Sequence, residues 1–372
     1  MRFEDLFVAG IGSWLPPAVS VQEALADGRY DPADQAKNEF VSITVAGDEA
    51  PPQMAVRAGR QALARSGVPA GDIALLLHAS LWYQGVDFWP AASYIHRNVL
   101  GDGRYVPALD LQQMSNGCMA AIELAASYIT ADPGRRAALV TTADRLARPG
   151  FDRWRSDLPS IVYGDGAAAI VLARKGFARL LSVTTVTDSR LEGMYRGEQP
   201  FGAVPGHAGY PVDNRARRAE YGARSDLAVL GRQIRSGLTE VVDRALAEAE
   251  LQAGDIDWAV FPNLGVATLQ QGYLQPLGLE LAATAWEWGR RTGHVGAADQ
   301  IIGLGNISDS GRAAPGDHVL LVGVGAGFTW TGAVIELAGK RGSARAEAPS
   351  ARARSGSGEH AHPSRLEQRE ET

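Results

Sequence analysis

The chain has 372 residues, 45% of them hydrophobic, and a formal net charge of -6 made of interspersed acidic and basic side chains. Length and composition allow a large core in one or two packed halves and exclude a fibrous or wholly disordered chain. Without a basic block in the body, the charge argues against nucleic acid as the main partner and suits a small or carrier-bound substrate.

The N-terminal stretch MRFEDLFVAGIGSWLPPAV has no basic region leading into an apolar core and a small-residue cleavage site. No apolar run reaches the ~20 residues that span a bilayer, so a soluble, cytoplasmic protein without a membrane partner is expected. Residues 62–72, ALARSGVPAGD, align without a gap to residues 245–255, ALAEAELQAGD. Each is followed by Ile and a largely apolar run, ALLLHAS or DWAVFPN, and reads as a helix end, a turn and a buried strand. Gly117-Cys118-Met119-Ala120-Ala121 lies about as far after the first copy as Gly293-His294-Val295-Gly296-Ala297-Ala298 after the second. A duplicated α/β chain is expected, with Cys118 and His294 opening equivalent helices.

Further strands are predicted at 138–143, 167–173, 180–187, 318–325 and 330–337, and their alternation with helical segments points to sheets covered by helices on both faces. The expected halves are residues 1–175, carrying the cysteine, and 176–340. Within the second, residues 188–224 mix Gly, Pro and aromatics with charges and read as an irregular insertion long enough for a binding lid. From residue 341 to 372 large apolar residues almost vanish, which predicts a disordered tail with His360 and His362 solvated.

A single cysteine rules out an internal disulfide and a Cys-rich metal site, and leaves Cys118 as a packing residue or a nucleophile. Its surroundings decide between them. Gly117 permits a tight strand-to-helix turn, and MAAIELAASYI is strongly helix-forming. The sulfur is then expected at a helix N-terminus, where unpaired N–H groups and the macrodipole favour a thiolate and lower the thiol pKa. The backbone N–H of Cys118 supplies part of an oxyanion hole. A nucleophile is the better reading.

Asn116-Gly117-Cys118-Met119-Ala120-Ala121, Tyr163-Gly164-Asp165-Gly166-Ala167-Ala168-Ala169 and Gly323-Val324-Gly325-Ala326-Gly327-Phe328-Thr329-Trp330 resemble, in order and spacing, the three hallmark stretches of β-ketoacyl-ACP synthase III. The resemblance covers roughly residues 5–340. It implies a duplicated five-layer αβαβα thiolase fold, a homodimer, no bound cofactor, and an acyl group carried on Cys118 from a CoA or acyl-carrier-protein thioester. It also implies that the backbone N–H of Ala326 is the second oxyanion donor, opposite that of Cys118.

Two departures from the family pattern stand out. Chain-elongating members use a His and an Asn beside the Cys to decarboxylate malonyl-ACP, yet after Asp257-Trp258-Ala259-Val260 this chain continues Phe261-Pro262-Asn263 with no histidine. In the loop where the family's Asn stands, this chain has His294. The pattern resembles the ketosynthase-III-like acyltransferases of antibiotic pathways, which move an acyl group such as malonyl or an aryl acid onto a sugar or polyketide hydroxyl. Asp48-Glu49-Ala50-Pro51-Pro52 and Leu77-His78-Ala79-Ser80-Leu81-Trp82-Tyr83-Gln84-Gly85 resemble that subgroup as well.

His294 is therefore expected to act as general base, deprotonating the thiol during loading and the acceptor hydroxyl (or amine) during transfer. Asp299 is expected to orient it, with Asn263 as the fallback partner. Asn263, His78 and Trp82 are candidate pocket residues, although packing is the better reading of His78, and no metal ligands are expected. Asp165 is expected to fix a loop through backbone N–H groups. Two other readings compete: a condensing enzyme that uses malonyl-ACP with His294 and Asn263 in unusual places, and a non-catalytic dimeric scaffold for carrier proteins, which the intact Cys118 disfavours.

Overall fold

The computed structural model describes residues 1–338, so the tail expected at 341–372 lies outside the described residues. Eleven strands are formed: β1 (Phe7–Trp14), β2 (Ala18–Ser20), β3 (Ser42–Thr44), β4 (Ile73–Ala79), β5 (Ala108–Leu111), β6 (Ala137–Asp144), β7 (Gly166–Ala173), β8 (Ala178–Thr187), β9 (Trp258–Val260), β10 (His318–Gly325) and β11 (Thr329–Leu337). Nine of them hydrogen-bond in the order β5-β4-β6-β7-β1-β8-β11-β10-β9, and β2 pairs with β3.

Read outward from the middle, β1-β7-β6-β4-β5 and β8-β11-β10-β9 repeat one plan. The first two pairings on each side are antiparallel and the next is parallel. The place of β5 is taken in the second half by a single parallel bridge between Ala259 and Thr284. The two ladders meet through only two residue pairs, Phe7 with Arg179 and Val8 with Ala178.

Alternate residues of each strand feed different layers, as the two-residue period requires. Leu75 and Leu77 of β4 and Val319 and Leu321 of β10 point into one core, which also takes the inner faces of helices Gly117–Thr130 and Asp299–Asp309. Leu76 packs outward against helix Pro51–Ser66, and so does Ile73, because the register shifts between Ile73 and Leu75. Leu320 and Val322 pack outward against helix Leu227–Glu248. Helices, sheet, central helices, sheet and outer helix make five layers. The sulfur of Cys118 lies in the central one.

Helix Gly117–Thr130 carries Cys118 in its first turn, as expected, but the equivalent helix starts at Asp299 after a short turn at Gly296–Ala298. His294 therefore does not open a helix. It sits in the preceding loop, bridged in parallel to Tyr163: its backbone N–H donates to the Val162 carbonyl at 2.8 Å, and the Gly164 N–H donates back to the His294 carbonyl at 3.0 Å.

Candidate active site

The turn before Cys118 is fixed by its own side chains. The Asn116 amide, fully buried, donates to Gln113 Oε1 at 2.7 Å and to Thr331 Oγ1 on β11 at 2.8 Å. The end of β10 closes on the same turn: a Cβ on Gly325 would lie 2.4 Å from the Gln113 carbonyl oxygen. No side chain fits there, and this contact carries Ala326, the next residue, to the cysteine turn.

Cys118 is fully buried. Burial pushes its thiol up to about 12, the reverse of the lowering expected from the helix N-terminus alone. The thiolate would lose its water in a core of Met119, Ala121 and Ile122, and that desolvation is the cause of the rise. The thiol therefore rests neutral.

His294 and Asp299 are both buried, and His294 Nδ1 lies 2.5 Å from Asp299 Oδ2. A carboxylate only accepts, so in the neutral ring Nδ1 carries the hydrogen and Nε2 is the free base. Nε2 lies 2.8 Å from the hydroxyl of Ser115, three residues before Cys118. The ring of Tyr163 packs against the imidazole with centroids 5.1 Å apart. Its hydroxyl is turned away to Asp157 Oδ2 at 2.9 Å.

Two of the expected pocket residues lie elsewhere. The Asn263 side chain donates to Asp299 Oδ1 at 3.1 Å and to the Gly293 carbonyl at 2.9 Å, so it braces the acid and does not pair with the imidazole. Its neighbours Pro262 and Leu264 line the cavity instead. Both nitrogens of fully buried His78 are occupied, by Thr141 Oγ1 at 3.0 Å and Gln84 Oε1 at 3.1 Å, and burial lowers its pKa. It is a neutral packing residue. Asp165 accepts from the Ala46 and Leu146 N–H groups, each at 2.9 Å, and takes a two-pronged bond from Arg153 at 3.0 Å.

Two cavities meet at Met114, Tyr163, Tyr195 and Ala326. One, of about 220 Å³, holds Ser115, His294, Pro262 and Phe328; the other, of about 360 Å³, is walled by Trp82, Phe151, Leu81 and Leu146. The segment between β8 and helix Leu227–Glu248 supplies Tyr195 and Arg218 to the first and Arg196 and Arg217 to the second. Ser115, Tyr163 as the ring's neighbour, and Arg218 were not singled out from sequence. Ser115, directly before the cysteine motif, and Tyr163, the first residue of the second hallmark stretch, each had a signal; Arg218 had none. Among the described residues no group of His, Cys, Asp and Glu has the arrangement of a metal site.

The five layers and the cysteine turn define an acyl-transferring enzyme of the thiolase type. Two family models match it, 3-oxoacyl-[acyl-carrier-protein] synthase III over residues 109–189 and its C-terminal counterpart over residues 246–337. The solved structure of the acyltransferase ChlB3 is 36% identical with a TM-score of 0.83, over 90% of this chain and 98% of that one. The β-ketoacyl-[acyl-carrier-protein] synthase III of Rhodospirillum rubrum is 29% identical over 346 residues, covering 89% of this chain and 98% of that protein. The priming β-ketosynthase of the R1128 polyketide pathway shares the fold, with a TM-score of 0.71 at 23% identity over 91% of this chain and 98% of that one. The chain belongs to the ketosynthase III family.

Proposed function

We propose that the protein loads an acyl group from a CoA or carrier-protein thioester onto Cys118 and passes it to a hydroxyl, or an amine, of a sugar or polyketide acceptor in antibiotic biosynthesis. The observation that carries this reading is the His294–Asp299 pair, which leaves Nε2 without a proton, an acceptor 2.8 Å from the Ser115 hydroxyl beside the cysteine turn. Nε2 takes the thiol proton as Sγ attacks the thioester carbon. The oxyanion is received by the N–H groups of Cys118 and Ala326, and the departing thiolate regains the proton from the ring. In the second half-reaction Nε2 removes the acceptor proton, the acceptor oxygen attacks the acyl carbon, and Cys118 leaves and recovers its proton. No metal or cofactor is needed at any step.

The relation to ChlB3, named an acyltransferase, supports this reading. The Rhodospirillum rubrum relative and the R1128 neighbour are named condensing enzymes, and they support carbon–carbon bond formation with malonyl-ACP as the second reading. Against that reading, Pro262 and Asn263 stand where the decarboxylating imidazole is expected, and neither can supply a base. We also propose a homodimer, supported by the free edge of β5, where Leu109 is 54% exposed, and by the fully exposed Phe88 nearby in the chain.

Intact-protein mass spectrometry after incubation with acyl thioesters tests the chemistry. A Cys118 adduct discharged by a hydroxyl acceptor is the expected result. Discharge by malonyl-ACP with release of carbon dioxide would establish condensation instead.

A further inference from the structure

The cavity of about 220 Å³ that holds His294 and Ala326 has no carboxylate among its lining residues and one permanent charge, the guanidinium of Arg218. Arg218 stands on helix Asn214–Ala223. Other arginines of that segment are engaged. Arg190, Arg196 and Arg224 pair with Asp188, Glu192 and Glu198, while Arg215 and Arg217 donate to the carbonyls of Asp157 and Tyr195. Among the described residues no carboxylate lies at ion-pair distance from Arg218, which rests over the Tyr195 ring, 5.0 Å from its centroid. Burial raises the phenols of Tyr195 and Tyr273, and the Arg218 charge opposes that rise in both, so the guanidinium acts on this end of the cavity.

A cation facing aromatic and aliphatic walls loses hydration, and contact with one ring offsets only part of that cost. A counter-charge brought by a ligand would complete the site. We propose that Arg218 selects the acyl group, binding a carboxylate at the far end of the acyl chain, so that the preferred donors are half-thioesters of dicarboxylic acids. The forked N–H groups of a guanidinium match two carboxylate oxygens at once. A donor phosphate has related chemistry, but it stands a whole pantetheine arm away from the thioester, whereas Arg218 shares one small cavity with His294 and Ala326. The proposal rests on the acyl-loading function and names its substrate class.

The test is calorimetric binding to the Cys118→Ala protein, which cannot be acylated. Malonyl-pantetheine should bind about 10- to 100-fold tighter than acetoacetyl-pantetheine, its neutral isostere. Adding Arg218→Ala should remove that preference and leave the acetoacetyl affinity, the check on folding, within about twofold, while Arg218→Lys should keep a smaller part because a point charge cannot fork. A preference that is absent, or that survives Arg218→Ala, overturns the proposal. So does equal weakening of both CoA thioesters with neither pantetheine thioester affected, which would assign the cation to the phosphate. Failure of Cys118 in the unmodified protein to load any thioester would sink the function above and leave this binding preference standing.

Discussion

Asn263 holds Asp299 from two sides, its backbone N–H reaching Oδ2 at 2.7 Å and its side-chain amide reaching Oδ1 at 3.1 Å. The Val295 N–H adds a third bond to Oδ1 at 2.8 Å, and the imidazole a fourth to Oδ2. Every partner donates, so the carboxylate is an acceptor only and fixes the ring tautomer. Asp299→Asn places an amide where the acceptor was and invites the wrong tautomer. Discharge of acyl-Cys118 should slow by about 10²- to 10⁴-fold with donor KM little changed. Single-turnover kinetics across pH checks this, and an unaltered rate and profile would remove Asp299 from the machinery.

Asn263→Ala keeps the backbone bond and loses the amide. Asp299 then gains freedom to drift from the ring, and the Gly293 carbonyl loses a donor. Stability should fall by about 1–2 kcal/mol in urea unfolding, and transfer should slow by roughly tenfold because Asn263 acts only through Asp299. A drop in donor affinity with transfer intact would mean that Asn263 faces the substrate after all.

The strands predicted at 318–325 and 330–337 agree with β10 and β11 to within one residue, because both are continuous apolar runs buried on two faces. β1 was missed. Its FVAGIGSW reads as turn-like through Gly10 and Gly12, yet the glycines are there because the strand lies against helix Pro51–Ser66. A Cβ on Gly10 would sit 2.3 Å from the Ala62 carbonyl oxygen. β5, ALDL, is short and half exposed and left no apolar run to read. In the candidate site, His294 and Asp299 lie five residues apart, so their hydrogen bond was legible. Asp144 and Arg218 come together with them only through the fold. The thiol pKa was misjudged because a helix N-terminus is visible in sequence and complete burial is not.

Gly325→Ala tests the contact that brings Ala326 to the cysteine turn. The added methyl would press to 2.4 Å from a backbone oxygen, which no side-chain rotation can relieve. Overpacking of this kind costs about 1–3 kcal/mol. The strand end should move away from Gln113, taking Ala326 with it, so acyl loading should fall by about 10²-fold or more, the usual cost of losing one oxyanion donor. Loading rates read by mass spectrometry at a temperature where the variant is folded separate the two effects. Full loading in a folded variant would show that Ala326 gives no catalytic bond.

Asp144 ends β6 completely buried and accepts the N–H groups of Leu81 and Trp82, both at 2.9 Å on Oδ1. Burial pushes its carboxyl up to about 7; the two N–H groups and His294 pull the other way, and Asp165 adds to the rise. An unfolded aspartate titrates near ~3.9. Between those values the folded chain holds a proton that the unfolded chain has lost, so stability falls as pH rises from about 4 to about 7 and is level above. A shift of that size corresponds to ~4 kcal/mol. Asp144→Asn keeps an oxygen for both N–H groups and removes the charge. In urea unfolding the variant should gain on the unmodified protein as pH is raised from 5 to 8. A stability difference that stays constant over that range would mean that Asp144 ionises as an ordinary carboxyl and that water or a cation reaches it.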